Sequence, residues 1–215
     1  MPRSEWIKLP PSERIPIIGH RAFVGGQAPE IWYGIGRRQF HFLVSQGLCP
    51  DHRFLDIACG SLRLGQYLIP YLQTGHYQGL EAEPALVEAG LREELLFDLN
   101  ETKKPTFGYG YDFDFSFVTG FDYAIAQSLF THLTAEDIHL CLKNLRPVAQ
   151  ETSRLFVTFS EGDAINEDST SDAHKKWQYT FPALEQITND AGWSAHYIGD
   201  WGHERGQKMV RLQIR

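Results

Sequence analysis

Residues 53–65 read RFLDIACGSLRLG, and this stretch decides the fold. Its first apolar residues predict a short buried strand, and the run 62–72 predicts a helix. A turn of small residues that includes Gly60 lies between them. A strand, a tight turn and a helix form the first half of a βαβ unit. Such a unit binds nucleotide-like ligands at its turn, because small residues let the backbone approach the ligand closely.

Two acidic residues accompany this turn. Asp56 lies in the first strand, and Glu81 ends a second predicted strand, YQGLE. A carboxylate at that second position can accept hydrogen bonds from a ribose diol. Both carboxylates would repel a phosphate and tolerate a positive charge, so the turn favours a cationic nucleoside over a pyrophosphate. The same residues also fit an ordinary buried strand and its turn, with no ligand.

The glycine spacing excludes two common nucleotide sites. No glycine lies between Gly60 and Gly65, so the G-x-G-x-x-G pattern of dinucleotide binding is absent. No Lys-Ser or Lys-Thr pair follows Gly65, so the turn is not a phosphate-binding P-loop. A nicotinamide-dependent dehydrogenase is therefore disfavoured.

The composition favours one intracellular domain. A length of 215 residues fits a single large α/β domain, and the formal net charge of −7 disfavours binding to nucleic acid or anionic membranes. The three cysteines are too scattered for a disulfide framework or a zinc site and fit a reducing compartment. No signal peptide or long apolar run is present in the sequence. We therefore expect a cytoplasmic protein with no metal site and no membrane partner.

The chain divides into an arm and one domain. Residues 1–29 are rich in proline, glycine and charge, and predict an irregular arm that covers the ligand as a lid. Residues 30–215 predict the domain itself. Its first segment, 30–47, predicts a helix that Gly34 and Gly36 break early, and the two glycines indicate either a bend or a close backbone approach.

Strands alternate with helices in the rest of the domain. Residues 84–99 predict an amphipathic helix, and Thr134 with Asp137 predicts a capping box at the start of another. Residues 160–176 predict a long acidic loop, and two final strands joined by GHERGQ close the chain. This order predicts a doubly wound α/β sheet.

Ligands on such a sheet bind at the carboxyl ends of the strands, near the switch in strand order. That rule gathers the chemistry-bearing residues that follow the predicted strands onto one edge. They are residues 56–63, Glu81, residues 112–114, residues 127–132 and residues 161–163.

With this edge assembled, the sequence resembles the class I S-adenosylmethionine-dependent methyltransferases. The resemblance rests on FLDIACGSLRLG, YQGLEAEP, FDYAIAQSLFTHL and the closing strand pair, and it covers about residues 30–215. It is strongest to small bacterial enzymes whose first motif reads D-I-G-C-G-S-L-R. It implies a Rossmann-like, seven-stranded sheet whose last strand is antiparallel. Ala58 and Leu62 replace two glycines of the family's D-x-G-x-G-x-G turn.

The resemblance also implies a cofactor and its contacts. S-adenosyl-L-methionine (SAM) would lie across the edge and leave as S-adenosyl-L-homocysteine (SAH). Glu81 would bind the ribose, and Asp112 and Phe113 would lie near the adenine. Gln127 and Ser128 would close the site below the methyl group. The residues around the methionine part would be Asp56, Ala58, Cys59, Gly60 and Ser61.

Methyl transfer requires alignment of the acceptor and, where the acceptor atom carries a proton, a base. Three candidates follow predicted strands: His203, His132 and Glu161. His203 is the preferred one, because its loop faces the cofactor edge in this topology and an ordinary imidazole pKa lies near 6.5. His132 fits a structural role at a helix start better than a catalytic one. Glu161 fits a solvated acidic loop.

Two further groups of side chains have two interpretations each. Arg63 stands at a predicted helix start, where a cation opposes the helix dipole. A salt bridge to an acidic neighbour is its ordinary role, and a contact to the acceptor is the alternative. Trp32 and Tyr33 fit either aromatic core packing or stacking over an adenosine.

Together these features predict an enzyme that methylates an oxygen or nitrogen atom of a small-molecule acceptor. It would act as a monomer or homodimer, without a nucleic-acid partner. The alternative is a non-catalytic SAM- or SAH-binding protein of the same fold, and the altered turn gives that alternative some weight.

Overall fold

The computed structural model describes residues 1–96, 98–163 and 169–215. Seven strands form one sheet: β1 (Phe54–Ile57), β2 (Tyr77–Glu81), β3 (Thr106–Tyr109), β4 (Tyr123–Ala126), β5 (Arg154–Phe159), β6 (Trp193–Asp200) and β7 (Lys208–Ile214). Their order is β3-β2-β1-β4-β5-β7-β6. Strand β7 is antiparallel to β5 and β6, and the other neighbouring pairs are parallel. The predicted α/β sheet with an antiparallel last strand is confirmed.

Helices cover both faces of the sheet. They are α1 (Arg3–Trp6), α2 (Pro11–Ile18), α3 (His20–Phe23), α4 (Pro29–Ser45), α5 (Gly65–Tyr71), α6 (Pro84–Glu93), α7 (Leu99–Lys103), α8 (Ala135–Leu145) and α9 (Phe181–Asp190). None of these helices, among the residues described, is long and apolar enough to cross a membrane.

The alternation of side chains along each strand builds two apolar layers. Every residue of β1, β2 and β4 is buried, as expected for parallel strands with helices on both faces. Leu55 contributes to the layer that also contains Ile138 of α8 and Leu184 of α9. Its neighbour Phe54 points the other way, into the layer with Leu43 of α4. The two layers hold β1 at the centre of the molecule.

Helix α4 is continuous, so the prediction that Gly34 and Gly36 break it is wrong. Gly36 instead permits a close backbone approach. A Cβ at this position would lie 2.5 Å from the carbonyl oxygen of Arg63. The helix therefore packs directly against the segment that follows β1.

Four other predictions about segments and their boundaries differ from the structure. The helix expected over 62–72 begins only at Gly65, because Leu62 has a left-handed backbone with φ 63°. The helix expected over 84–99 ends at Glu93, and residue 97 lies outside the described residues. The expected irregular arm, 1–29, contains three short helices. The final hairpin loop begins after Asp200 rather than after Trp201.

The predicted Thr134 cap of α8 is confirmed, but the reciprocal half of the capping box is absent among the described residues: the backbone N–H of Thr134 donates to Ser171 Oγ at 2.9 Å, and Ser171 Oγ donates to the Asp137 carboxylate. The Oγ1 atom of Thr134 accepts a hydrogen bond of 3.2 Å from the backbone N–H of Asp137. This bond satisfies one of the donors that a helix start leaves unpaired.

Ala58 and Leu62 hold the turn after β1 in the left-handed conformation, with φ 58° and 63°. Leu62 is fully buried, so its packing offsets the backbone strain, whereas Ala58 is only partly buried. We predict that Ala58→Gly raises the free energy of unfolding by about 0.5–1 kcal/mol. Relief of left-handed strain, roughly 1–2 kcal/mol, exceeds the entropic cost of glycine. Denaturant unfolding measures the change.

Ala85→Gly is the matched control for that measurement. Ala85 lies in α6 and is exposed, so glycine should lower the free energy of unfolding there by about 1 kcal/mol. A loss of stability in both variants would show that Ala58 is not strained.

Candidate functional site

Glu81, at the carboxyl end of β2, holds the turn that follows β1. Its carboxylate accepts hydrogen bonds from the backbone N–H of Gly60 at 2.8 Å and of Glu83 at 3.1 Å. The residue is 7% exposed, and burial raises the pKa of its carboxyl group against the effect of these donors. The bond to Gly60 joins the two strand ends that the sequence placed on one edge.

Asp56 lies beneath the same turn. It is 4% exposed, and its Oδ2 atom accepts a hydrogen bond of 2.8 Å from the hydroxyl of Tyr77. Burial raises the pKa of Asp56 to about 7. The Cys59 thiol is also buried, and burial raises its pKa. The buried Oγ atom of Ser61 has no hydrogen-bond partner among the described residues. The turn therefore has two buried carboxyl groups with raised pKa values and an unpaired hydroxyl on Ser61.

Gln127, directly after β4, is the centre of a buried polar network. Its Oε1 atom accepts hydrogen bonds of 2.8 Å from both Gln39 Nε2 and Arg63 Nη2. Its Nε2 atom donates to Ser128 Oγ at 2.7 Å and to Gln207 Oε1 at 3.3 Å. Helix α4, the turn after β1 and the β6–β7 loop thus meet at the end of β4.

His203 belongs to this network. It is 5% exposed, and its Nε2 atom lies 3.1 Å from Nε2 of Gln127. Burial lowers the pKa of the imidazole to about 4, well below the ordinary value that the sequence argument assumed. His203 is therefore neutral at pH 7, and its Nδ1 atom accepts a hydrogen bond of 3.2 Å from the backbone N–H of Arg205.

The other two base candidates make local contacts. The Nδ1 atom of His132 lies 2.5 Å from the carbonyl oxygen of Lys175, and burial lowers its pKa. Glu161 accepts a hydrogen bond of 2.7 Å from the hydroxyl of Tyr197. Within the acidic loop expected over 160–176, residues 164–168 lie outside the described residues.

In the segment after β3, the Phe113 ring points into the core and not towards the ligand edge of the sheet. The ring is buried in the apolar layer with Leu55, and the residue has φ 53°. The carbonyl oxygens of Asp112 and Phe113 accept hydrogen bonds from Asn144 Nδ2 at 3.0 and 3.3 Å. Asp112 itself is exposed.

The N-terminal arm lies over the turn. The Cγ1 atom of Val24 is 3.1 Å from the position that a Cβ on Gly60 would occupy. Arg63 Nη1 donates to the carbonyl oxygen of Val24 at 3.3 Å, and Arg205 donates to that of Gly25. Residues 24 and 25 thus cover the small-residue turn.

Ion pairs hold the arm at two further points. The Nη1 and Nη2 atoms of Arg14 each donate to the Asp172 carboxylate at 2.8 Å. Arg21 pairs with Glu94, whose Oε2 atom also accepts from Trp32 Nε1 at 3.0 Å. Trp32 is fully buried, so its role is core packing rather than stacking over a ligand.

Arg63 does not make the salt bridge that the sequence suggested. The ion pairs among the described residues do not include it, and its buried Nε atom has no hydrogen-bond partner there. Burial, followed by repulsion from Arg205, lowers the pKa of Arg63 to about 10. The guanidinium is a cation at neutral pH, and Asp56 and Glu204 act on it electrostatically although no described carboxylate is within ion-pair distance.

Sequence reasoning did not find Val24, Arg205 or Gln39 as residues of this site. Val24 and Gln39 do not follow a strand, so the strand-end rule does not select them. A glutamine at a predicted buried helix position was the available signal for Gln39, which is 3% exposed. Val24 lies at the turn because the arm passes over it, and no local pattern in the sequence predicts that course.

Solved structures with this architecture are methyltransferases. Magnesium protoporphyrin IX methyltransferase (ChlM) from Synechocystis PCC 6803, with SAH bound, is 16% identical over 91% of this chain and 92% of its own, with a TM-score of 0.63. The glycopeptide N-methyltransferase MtfA in complex with SAM is 12% identical over 84% and 94%, with a TM-score of 0.66. The chain has the fold of class I SAM-dependent methyltransferases.

A third methyltransferase of this fold, a SAM-dependent enzyme from Clostridium acetobutylicum ATCC 824, is 10% identical over 87% of this chain and 93% of its own, with a TM-score of 0.62. No protein-family model and no curated protein matches the sequence. At these identities the methyltransferase fold is shared while most side chains differ, so the site has to be argued from this chain's own residues.

The raised pKa of Asp56 predicts a pH dependence of stability. The folded state keeps this proton up to about pH 7, whereas the unfolded chain loses it near pH 4. The stabilising contribution is therefore complete below pH 4 and is lost as the pH rises towards 7. Relative to Asp56→Asn, the wild type should lose roughly 2 kcal/mol of unfolding free energy between pH 5 and 8. Urea unfolding at several pH values measures this.

Asp51→Asn is the control, because Asp51 is exposed. It should follow the wild-type dependence on pH. Parallel curves for the wild type and Asp56→Asn would rule out a buried, protonated Asp56.

Proposed function

We propose that this chain is a SAM-dependent methyltransferase that methylates an oxygen or nitrogen atom of a small-molecule acceptor. The observation that carries the proposal is the hydrogen bond of 2.8 Å between Gly60 N–H and the Glu81 carboxylate. It places the small-residue turn and an acidic strand end together at the ligand edge of a methyltransferase fold. The turn sequence 56–63, DIACGSLR, differs at one position from the D-I-G-C-G-S-L-R motif of small bacterial enzymes.

The residues at this edge fit a SAM molecule, and their proposed roles follow their positions. Glu81 has two carboxylate oxygens at the end of β2, where they can accept hydrogen bonds from ribose hydroxyls. Asp112 and Phe113 would contact the adenine, and Gln127 and Ser128 would lie below the methyl group. Around the methionine part we place Asp56, Ala58, Cys59, Gly60 and Ser61.

The unpaired Oγ atom of buried Ser61 supports this placement, because buried hydroxyls are ordinarily hydrogen-bonded. Leu62 and Ala58 keep the left-handed backbone that glycine adopts readily. The turn therefore retains a conformation suited to glycine, although Ala58 and Leu62 replace two glycines of the D-x-G-x-G-x-G pattern. Bound SAM supplies a methyl group on a positively charged sulfur.

We place the acceptor beside His203. Its neutral imidazole can take a proton from an acceptor hydroxyl or amine, and Gln127 fixes the ring from one side. Helices α1 to α3 form a lid over the edge. His132 and Glu161 are the alternative bases. We further propose that the protein acts in the cytoplasm, as a monomer or homodimer, without nucleic acid.

The alternative function is binding of SAM or SAH without turnover. The partly buried Ala58, held in a strained conformation, is the observation that favours it. Radiolabelled methyl uptake by a metabolite extract separates the two functions, since a binding protein would transfer no label.

Calorimetric titration with SAH, NAD and ATP tests the cofactor assignment. We expect binding of SAH in preference to the other two, and Glu81→Gln should weaken it by roughly 1–3 kcal/mol through loss of charge-assisted hydrogen bonds. Glu88→Gln, on the exposed side of α6, should leave the affinity unchanged. Tighter binding of NAD than of SAH would contradict the proposal. Unchanged affinity in Glu81→Gln would assign the ribose contact to Glu83.

Turnover of the His203→Gln variant tests the base. We expect a loss of about 10²-fold with SAM affinity nearly intact, the scale of general-base removal. Because the pKa of His203 is about 4, wild-type turnover should show no imidazole titration between pH 5.5 and 7.5 from this residue. His196→Gln, at an exposed position of β6, is the control. Full activity in His203→Gln with loss in His132→Gln would assign the base to the segment after β4.

A further inference from the structure

The arm occupies the surface that the proposed cofactor would need. Val24 lies against Gly60, with Cγ1 3.1 Å from the position of a Cβ on that glycine. Gly60 also has a left-handed backbone, φ 57°, and its N–H is already bonded to Glu81. A ligand that approaches this turn from the open side of the sheet edge must therefore displace Val24.

Arg63 would lose one of its hydrogen-bond acceptors in this displacement. Its Nη1 atom donates to the Val24 carbonyl oxygen at 3.3 Å, at the long end of the hydrogen-bond range. Its Nη2 atom stays fixed by Gln127 Oε1 at 2.8 Å, and its buried Nε has no partner among the described residues. A guanidinium has five donors and is best matched by a carboxylate in a bidentate arrangement. The backbone carbonyl satisfies only one of those donors.

Arg205 adds a second positive charge at the same place. It donates to the Gly25 carbonyl oxygen, next to the bond that Arg63 makes to Val24. Repulsion between the two guanidinium groups contributes to the lowered pKa of Arg63. An anion between them would remove this repulsion, whereas a neutral carbonyl does so only weakly.

We propose that Arg63 exchanges partners: it holds the Val24 carbonyl while the arm is closed, and the amino-acid carboxylate of SAM or SAH when the cofactor is bound. The inference rests on the proposed function, because it assigns one end of that cofactor. Arg63 follows Ser61 and Leu62 in the turn, so the methionine part lies within reach of its guanidinium. The arm is then an intramolecular competitor of the cofactor, and Arg63 is the contact for which they compete.

A pair of related ligands isolates the carboxylate. SAH and 5′-methylthioadenosine share the nucleoside and its sulfur, and only SAH has the amino-acid group. Calorimetric titration of both into the wild type, Arg63→Gln and Arg63→Lys separates this contact from the rest of the site. In Arg63→Gln we expect SAH to bind about tenfold more weakly or worse, the loss typical of a charge-assisted hydrogen bond. Affinity for 5′-methylthioadenosine should stay within about twofold.

Arg63→Lys keeps the positive charge without the fork of donors, so it should recover part of the SAH affinity. Arg92→Gln, at an exposed arginine of α6, should change neither affinity. Equal losses for both ligands would overturn the inference, since Arg63 would then support the turn and not the carboxylate. Unchanged SAH affinity in Arg63→Gln would also overturn it. Failure of the wild type to bind either ligand would contradict the proposed function instead.

The competition has its own test in Val24→Ala. Removal of the two methyl groups weakens the closed arm, so both ligands should bind about three- to tenfold more tightly. Ile17→Ala, an exposed position of α2, is the control from the same arm and should bind both ligands as the wild type does. Unchanged or weaker binding in Val24→Ala would show that the arm does not compete at Gly60.

Discussion

The site depends on the hydrogen bond between the Gly60 N–H and the Glu81 carboxylate. This bond of 2.8 Å joins the turn after β1 to the end of β2, and a second bond from Glu83 N–H fixes the other carboxylate oxygen. Because both strands are buried, a carboxylate here needs such donors. The same oxygens are the ones that we propose for the ribose contact. One buried acidic group thus serves both the local fold and the proposed chemistry.

Close backbone packing surrounds this turn. A Cβ on Gly36 would lie 2.5 Å from the Arg63 carbonyl oxygen, and one on Gly90 would lie 2.7 Å from that of Ser61. The backbones of α4 and α6 therefore pack directly against the turn. This packing, with the buried Leu62 side chain, lets residues 58 and 62 keep left-handed conformations without glycine. Backbone strain at the site is offset by burial around it.

Polar groups on the acceptor side form one connected network. Gln127 links α4, Arg63 and the β6–β7 loop, so a displacement of any one of them changes the hydrogen bonds of the others. Among the described residues, the arm's hydrogen bonds to Arg63 and Arg205 are made by two backbone carbonyls, those of Val24 and Gly25. Such contacts are weaker than the ion pair of Arg14 with Asp172, which holds the arm nearer its N-terminus. The structure thus combines a firmly anchored arm with a replaceable contact over the turn.

Local patterns in the sequence predict an α/β sheet, the Thr134 cap of α8 and the gathering of Asp56, Glu81 and Gln127 at one edge. The antiparallel last strand followed only from the resemblance to a known family. The local patterns misjudged Gly34 and Gly36, which lie inside a continuous helix, because the reason for a glycine there is a neighbour distant in sequence. Tertiary contacts alone establish that Arg63 has no ion pair within the described part of the chain, that His203 is buried with a lowered pKa and that Val24 covers Gly60. Burial and the path of the arm control these properties, and both arise from contacts between segments far apart in the chain.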